Sequence, residues 1–283
     1  MGDDLKIKMY DNWHKISKRN SVIVVYGSRG SGKSHFICWL LTELDRQKPF
    51  DFVWCMTPTQ STQEALQRYV APSGIHTNLD PECLQNVVDI QKMQPGKHRV
   101  CVILDDCAFD RKFSKSNVVS EIAANGRHLN LTLVLSFQYL SMLPPDLRTN
   151  TDIAVTFKEV SCRNVDLLYE NFFGVLDSVA TFKTIMSCIC KRFRALIMDN
   201  TRDSLALSDC LWMCKAPAEI PRRHVASLQW RMHNHFGFSA KSIQRGQQKV
   251  MENRLIEKGI LPAPTKKPKK VCKDDNATMV VFE

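Results

Sequence analysis

The chain of 283 residues has no apolar run near the ~18–20 residues that cross a bilayer, so no membrane span is expected. Its first residues, MGDDLKIKMYDNW, place acids where a secretory leader carries bases and include no apolar segment, so secretion is not expected. The Met-Gly start has Lys6 where a myristoylation signal has Ser or Thr. No internal repeat is present, and no N-K-x-D motif that would read a guanine base. Although there are 11 cysteines, none stands in a C-x-x-C knuckle. Cys188-x-Cys190 and Cys210-x-x-x-Cys214 have the wrong spacing for a structural zinc site. Others fall in apolar runs such as Val100-Cys101-Val102 and Val53-Trp54-Cys55, where a reduced thiol serves as a small buried hydrophobe.

What remains is ordinary globular composition, 44% hydrophobic and 24% charged, which confines disorder to the ends. The net charge of +10 is uneven: residues 218–283 hold thirteen Lys/Arg against six Asp/Glu. Such a segment suits a polyanionic partner, although it also serves solubility.

From Ser21 the pattern alternates between strand and helix. Ser21–Tyr26, Phe50–Met56, Val100–Leu104, Leu131–Phe137 and Ile153–Phe157 read as short buried strands, and Arg194–Met198 closes the series. Helices are expected over His35–Asp45, twice within residues 60–95 around Pro72-Ser73-Gly74, and over Ser116–Asn125 with Gly126 as a left-handed cap. Val165–Phe173 and Leu176–Cys190 also read as helical. Strands buried on both faces and alternating with helices predict an α/β fold with a mainly parallel sheet. Ligands of such sheets bind at the carboxyl ends of the strands. The expected division is a domain over residues 1–217, a basic helical extension over 218–260 that includes an amphipathic helix Ser239–Lys258, and a flexible basic tail over 261–283.

The chemistry concentrates at that carboxyl edge. Gly27-Ser28-Arg29-Gly30-Ser31-Gly32-Lys33-Ser34 follows the first strand and opens a helix, the context of a phosphate-binding loop. Its glycines let backbone N–H groups turn inward, and the helix dipole points at the same place. Lys33 is expected to reach the β- and γ-phosphates of ATP, the Ser34 hydroxyl to ligate Mg²⁺, and His35 to continue the nucleotide-binding run. Asp105 ends another buried strand and is the expected second Mg²⁺ anchor; Asp106 is the candidate general base for the attacking water. Gln138 follows a strand that would lie between these two, where an amide touches both γ-phosphate and water. Arg127 and Arg148 are candidates for an arginine finger, and each could equally form surface ion pairs.

Taken together, GSRGSGKS, VCVILDDC, NGRHLNLTLVLSFQ, LPPDLRTNTDIAVTF and FRALIMDN resemble, in order and spacing, the poxvirus-type DNA-packaging ATPases of the FtsK–HerA superfamily. The resemblance covers roughly residues 18–200. It implies a P-loop NTPase fold of ASCE/RecA-like type, with Gln138 as sensor and Arg127 or Arg148 as finger. It also implies a ring homo-oligomer, hexameric or pentameric, that drives double-stranded DNA into a preformed capsid. Capsid or inner-membrane virion proteins would be its partners, and the host cell cytoplasm (the viral factory) and the virion its locations. Two other classes remain open: a small-molecule or nucleoside kinase, and a nucleotide-binding but non-catalytic capsid or DNA scaffold. A kinase usually has an Arg-rich lid, for which 107–126 offers one arginine, Arg111, with Lys112 and Lys115. The Lys266–Lys270 run is a nuclear address, a DNA anchor or a solvated tail.

Overall fold

Branched and aromatic residues drive the central strands into a sheet that is covered on both faces. The computed structural model describes residues 6–237, apart from 108–112, 114, 115, 203 and 205. The expected helix Ser239–Lys258, the Lys266–Lys270 run and the pair Arg111 and Lys112 lie outside the described residues. Nine strands are described: β1 Lys8–Met9, β2 Val22–Tyr26, β3 Phe52–Met56, β4 Ile75–His76, β5 Val100–Asp105, β6 Leu131–Phe137, β7 Ile153–Thr156, β8 Arg194–Asp199 and β9 Leu211–Lys215. Their order across the sheet is β1-β9-β8-β7-β2-β6-β5-β3-β4. Every neighbouring pair is parallel except β7 with β8 and β8 with β9. β6 does lie between β2 and β5, so the two strands carrying the loop and the acids are separated by one strand. This is the mainly parallel α/β sheet of P-loop ATPases.

Alternate residues of each central strand serve opposite faces. Val22, Val24 and Tyr26 pack on one side with helices α4 Pro81–Met93, α5 Asn117–Asn125, α7 Cys162–Leu168 and α8 Val179–Ile189. Ile23 and Val25 pack on the other with α1 Trp13–Arg19 and α2 Lys33–Gln47. Each fully buried Ile or Leu contributes about 1.5–3 kcal/mol of transfer free energy. Caps fix the helix starts. Asp80 Oδ1 accepts from the Cys83 N–H at 3.0 Å ahead of Pro81, and Ser178 Oγ accepts from the Thr181 N–H at 3.1 Å. Ser178 therefore starts α8 at Val179 rather than Leu176. Among the described residues, no helix is long and apolar enough to cross a membrane.

Three further expectations require correction. The strand at 194 does not close the pattern, because β9 pairs antiparallel with it and parallel with β1. Only Leu211 and Cys214 of β9 are buried, so its sequence, LWMCK, shows no alternation to read. The segment Val165–Phe173 is not one α-helix: α7 ends at Leu168, and Tyr169–Phe173 widen into a π-turn. Gly126 is not left-handed, with φ at −54°. A Cβ there would stand 2.4 Å from the Ile122 carbonyl oxygen and 3.1 Å from that of Leu131. Close backbone approach requires this glycine, while Asn130, at φ 56°, takes the left-handed position.

The amino edge of the sheet is held by a buried arginine. Arg99 donates from Nε to Asn20 Oδ1 at 3.1 Å, from Nη2 to the Ser17 carbonyl at 2.7 Å, and from Nη1 to the Lys48 carbonyl. Its guanidinium lies 3.8 Å from the Phe50 ring centroid. Burial lowers its pKa to about 10, so it stays charged at neutral pH. These contacts join α1, the end of α2 and β5, leaving the opposite edge for function.

Past β9 the chain returns to the same unit. The Val225 N–H donates to the Tyr69 carbonyl at 2.8 Å, Val225 is fully buried, and Arg223 pairs with Asp45 at 3.2 Å. Helices α3 Gln60–Leu66, α6 Pro145–Thr149, α9 Leu207–Cys210 and α10 Leu228–Gly237 complete the described α-helices.

Candidate functional site at the carboxyl edge

The register of the parallel strands decides which side chains meet. Val25 is level with Ser136, and Ser136 with Asp105. Gly27, Asp106 and Gln138 therefore leave the sheet side by side, and the Gly27 N–H donates to the Phe137 carbonyl at 3.2 Å. The loop then turns into α2 through Gly32, which has φ 99° and caps the helix. A side chain at Gly32 would be strained and would meet the Phe193 ring at 3.1 Å. At Gly27 a Cβ would meet Ser31 Oγ at 2.4 Å and Lys33 Cγ at 3.2 Å, so the loop closes on itself only with glycine there.

Lys33 is buried, and its ammonium donates to the Gly27 carbonyl at 2.6 Å and the Ser28 carbonyl at 3.4 Å. Burial lowers its pKa, against the opposing charges of Asp106 and Asp105. Ser34 Oγ lies 3.1 Å from Thr62 Oγ1 on α3. Asp105 is 1% exposed; its Oδ2 accepts from Thr57 Oγ1 at 3.1 Å, while its Oδ1 is buried with no hydrogen-bond partner among the described residues. Burial pushes its carboxyl up despite the Ser136 hydroxyl, the charge of Asp106 adds to the rise, and Thr57 and Lys33 oppose it. Asp106 has φ 52°, a left-handed conformation that Asp tolerates better than most residues. Its Oδ2 accepts from Gln138 Nε2 at 2.6 Å, and its Oδ1 is again buried with no partner among the described residues. Asp105 Oδ1, which has no hydrogen-bond partner among the described residues, and the Ser34 hydroxyl at the start of α2 are oxygen donors that suit a hard divalent cation with its water shell.

The other sequence candidates lie elsewhere. The His35 ring Nε2 lies 2.7 Å from the Pro217 carbonyl, so its side chain fastens the chain after β9. Arg127 pairs with Asp152, whose Oδ2 also accepts from the Val22 N–H at 2.8 Å. Val22 begins β2 and Asp152 precedes β7, so this pair sits at the amino edge, opposite the loop. Burial raises the Asp152 pKa, which Val22, Arg127 and Arg19 counteract. Arg148 donates from Nε to the Leu143 carbonyl at 2.9 Å and from Nη1 to Asn171 Oδ1 at 3.0 Å. Neither arginine joins the Lys33 cluster within one chain.

Sequence reading missed several residues here. Thr57 and Thr62 lack any motif of their own and are brought in by β3 and α3. Glu159, beyond β7, accepts from the Tyr26 hydroxyl, from the Val160 N–H at 2.7 Å and from the Ser161 N–H at 2.8 Å. Burial alone would raise its pKa, but the Ser161 N–H, the Tyr26 hydroxyl and the remaining donors hold it below the usual value. A cavity of about 300 Å³ lies between loop residues 28–31 (Ser28, Arg29, Gly30 and Ser31) and a wall that includes Lys158, Val160, Arg192, Phe193 and Arg194.

Residues 10–213 match the family described as Poxvirus A32 protein. Protein 075L of Invertebrate iridescent virus 6 is 28% identical over 249 residues, covering 86% of this chain and 92% of the relative. Protein L437 of Acanthamoeba polyphaga mimivirus is 28% identical over 210 residues, covering 69% and 72%. Among solved structures, B204, the DNA-packaging ATPase from Sulfolobus turreted icosahedral virus, aligns with a TM-score of 0.52 at 15% identity, over 71% of this chain and 99% of that one. The genome packaging NTPase B204 from Sulfolobus turreted icosahedral virus 2, in complex with AMPPCP, aligns at 0.51 and 17% identity, over 70% and 98%. At such identity the likeness is one of fold.

Proposed function

The chain belongs to the Poxvirus A32 protein family, and from that premise we propose that it is an ATP-hydrolysing motor that moves viral double-stranded DNA into a preformed capsid. One observation carries the hydrolase reading: Lys33, Asp105, Asp106 and Gln138 converge on the carboxyl edge around two carboxylate oxygens that have no partner among the described residues. The backbone of Gly27–Ser34 holds the triphosphate, and Lys33 exchanges its contacts with the Gly27 and Ser28 carbonyls for phosphate oxygens. Ser34 and Asp105 would hold Mg²⁺, which when bound neutralises charge on the β- and γ-phosphates. Gln138 fixes Asp106 through Oδ2 and so leaves Oδ1 to take the proton of the attacking water.

The motor reading rests on the family and on the packaging ATPases that share the fold. A ring of five or six copies would place an arginine of one subunit, Arg148 or Arg127, at the phosphates of the next. Lys and Arg side chains would track the duplex through its phosphates without reading bases. Residues 218–283, with their surplus of basic charge, suit the same polyanion or a capsid partner. The host cytoplasm and the virion are the places where such a motor works. The site assignment is tested with Lys33→Ala, for which ATP turnover is expected to vanish while the chain stays folded. Unchanged turnover would remove the assignment.

A further inference from the structure

The turn that joins α8 to β8 is built in a way that its own packing does not require. Arg192 and Phe193 are consecutive left-handed residues, with φ 52° and 63°. For a bulky aromatic residue this is a strained conformation that surrounding structure must maintain. The strain does not bury the ring, because Phe193 is 66% exposed. Val160, on the same cavity wall, is 79% exposed. Two large apolar side chains thus stand in solvent beside a phosphate-binding loop, at a cost in free energy that a bound partner would recover.

The position of the ring indicates which partner. A Cβ on Gly32 would meet Phe193 at 3.1 Å, so the ring rests on the loop itself at the residue that caps α2. A ligand whose phosphates occupy the loop would carry its remaining atoms into the adjacent cavity of about 300 Å³. That volume is at the small end for organic ligands and suits a base with its sugar. Lys158, Arg192 and Arg194 on the wall supply positive charge for the proximal phosphates.

We propose that Phe193, with Val160 beside it, forms the nucleobase subsite of this chain, the base stacking on the open face of the Phe193 ring. The subsite rests on the nucleotide reading of the Gly27–Ser34 loop. Stacking of a base on an aromatic ring is tolerant of base identity, since every base has a π-face. Phe193 is here a binding residue and takes no part in proton transfer.

The test is equilibrium binding by calorimetry of ATP and of inorganic tripolyphosphate, which has the phosphates without the base. Phe193→Ala, Phe193→Trp and Lys33→Ala are compared with the unaltered full-length chain. Wild type should bind ATP more tightly than tripolyphosphate. Phe193→Ala should weaken ATP on the order of tenfold and leave tripolyphosphate unchanged. Phe193→Trp should restore ATP binding, and Lys33→Ala should weaken both ligands. Three results would overturn the subsite: wild type binding ATP no better than tripolyphosphate, Phe193→Ala leaving ATP affinity intact, or Phe193→Ala weakening both ligands equally. The last would mean that the ring only shapes the loop through Gly32. Because binding is read, a chain that shows this pattern without turning ATP over would refute the hydrolase reading alone.

Discussion

The Gln138 amide donates to Asp106 Oδ2 at 2.6 Å and ties the carboxyl end of β6 to that of β5. If Gln138 is the γ-phosphate sensor, a change there acts on the candidate base in the same movement. Asp106→Asn should lower kcat by about 10²–10⁴-fold, the usual worth of a positioned base, with ATP affinity within a few-fold. Gln138→Ala should lower kcat by about 10–100-fold, also with little change in affinity, because it loosens the base rather than removing it. Separate measurement of kcat and Kd checks both. A loss confined to affinity would place these residues in ground-state binding instead.

Asp105 is costly to the unliganded fold. Its pKa is raised by burial, so the folded chain holds the proton to higher pH than the unfolded chain. The neutral form is the one the fold favours. Stability from this group is thus present below the unfolded carboxylate pKa and is lost as pH rises through the raised folded value. Asp105→Asn should raise the Tm of the nucleotide-free protein at neutral pH by a few degrees, about 2–4 °C for each kcal/mol relieved. It should also abolish turnover. A lowered Tm, or a gain that grows as pH falls, would contradict this account of the residue.

The two candidate finger arginines should separate by phenotype. Arg127→Ala leaves Asp152 buried without its cation and should cost about 1–3 kcal/mol of stability, less than a fully buried pair because the guanidinium is half-exposed. Arg148→Ala should have a smaller effect on stability. If either residue acts across a subunit boundary, mixing its variant with Lys33→Ala should restore part of the activity that each lacks alone. Denaturant titration and mixing assays check this, and failure of both mixtures would remove the finger from both.

Position along the chain made the central strands, the loop, Asp105, Asp106 and Gln138 legible, because each lies at or just beyond the end of a buried run. Local pattern also located α2 and the placement of β6 between β2 and β5. It could not locate partners supplied by tertiary register. Thr57 is an ordinary threonine until β3 sets it against Asp105, and Phe193 is an ordinary apolar residue until its turn lies on Gly32. Arg127 lies in a motif-rich segment, yet Asp152 holds its side chain at the far edge. Gly126 was misread because a glycine after a helix signals left-handed geometry and close backbone approach equally well.

Steady-state ATP turnover with and without duplex DNA, at protein concentrations bracketing assembly, tests the motor reading most directly. A packaging motor should turn ATP over faster with duplex DNA, and the stimulation should fall steeply between about 50 and 200 mM salt as phosphate contacts are screened. Turnover that ignores DNA at every concentration, with phosphate passed to a nucleoside rather than to water, would contradict it.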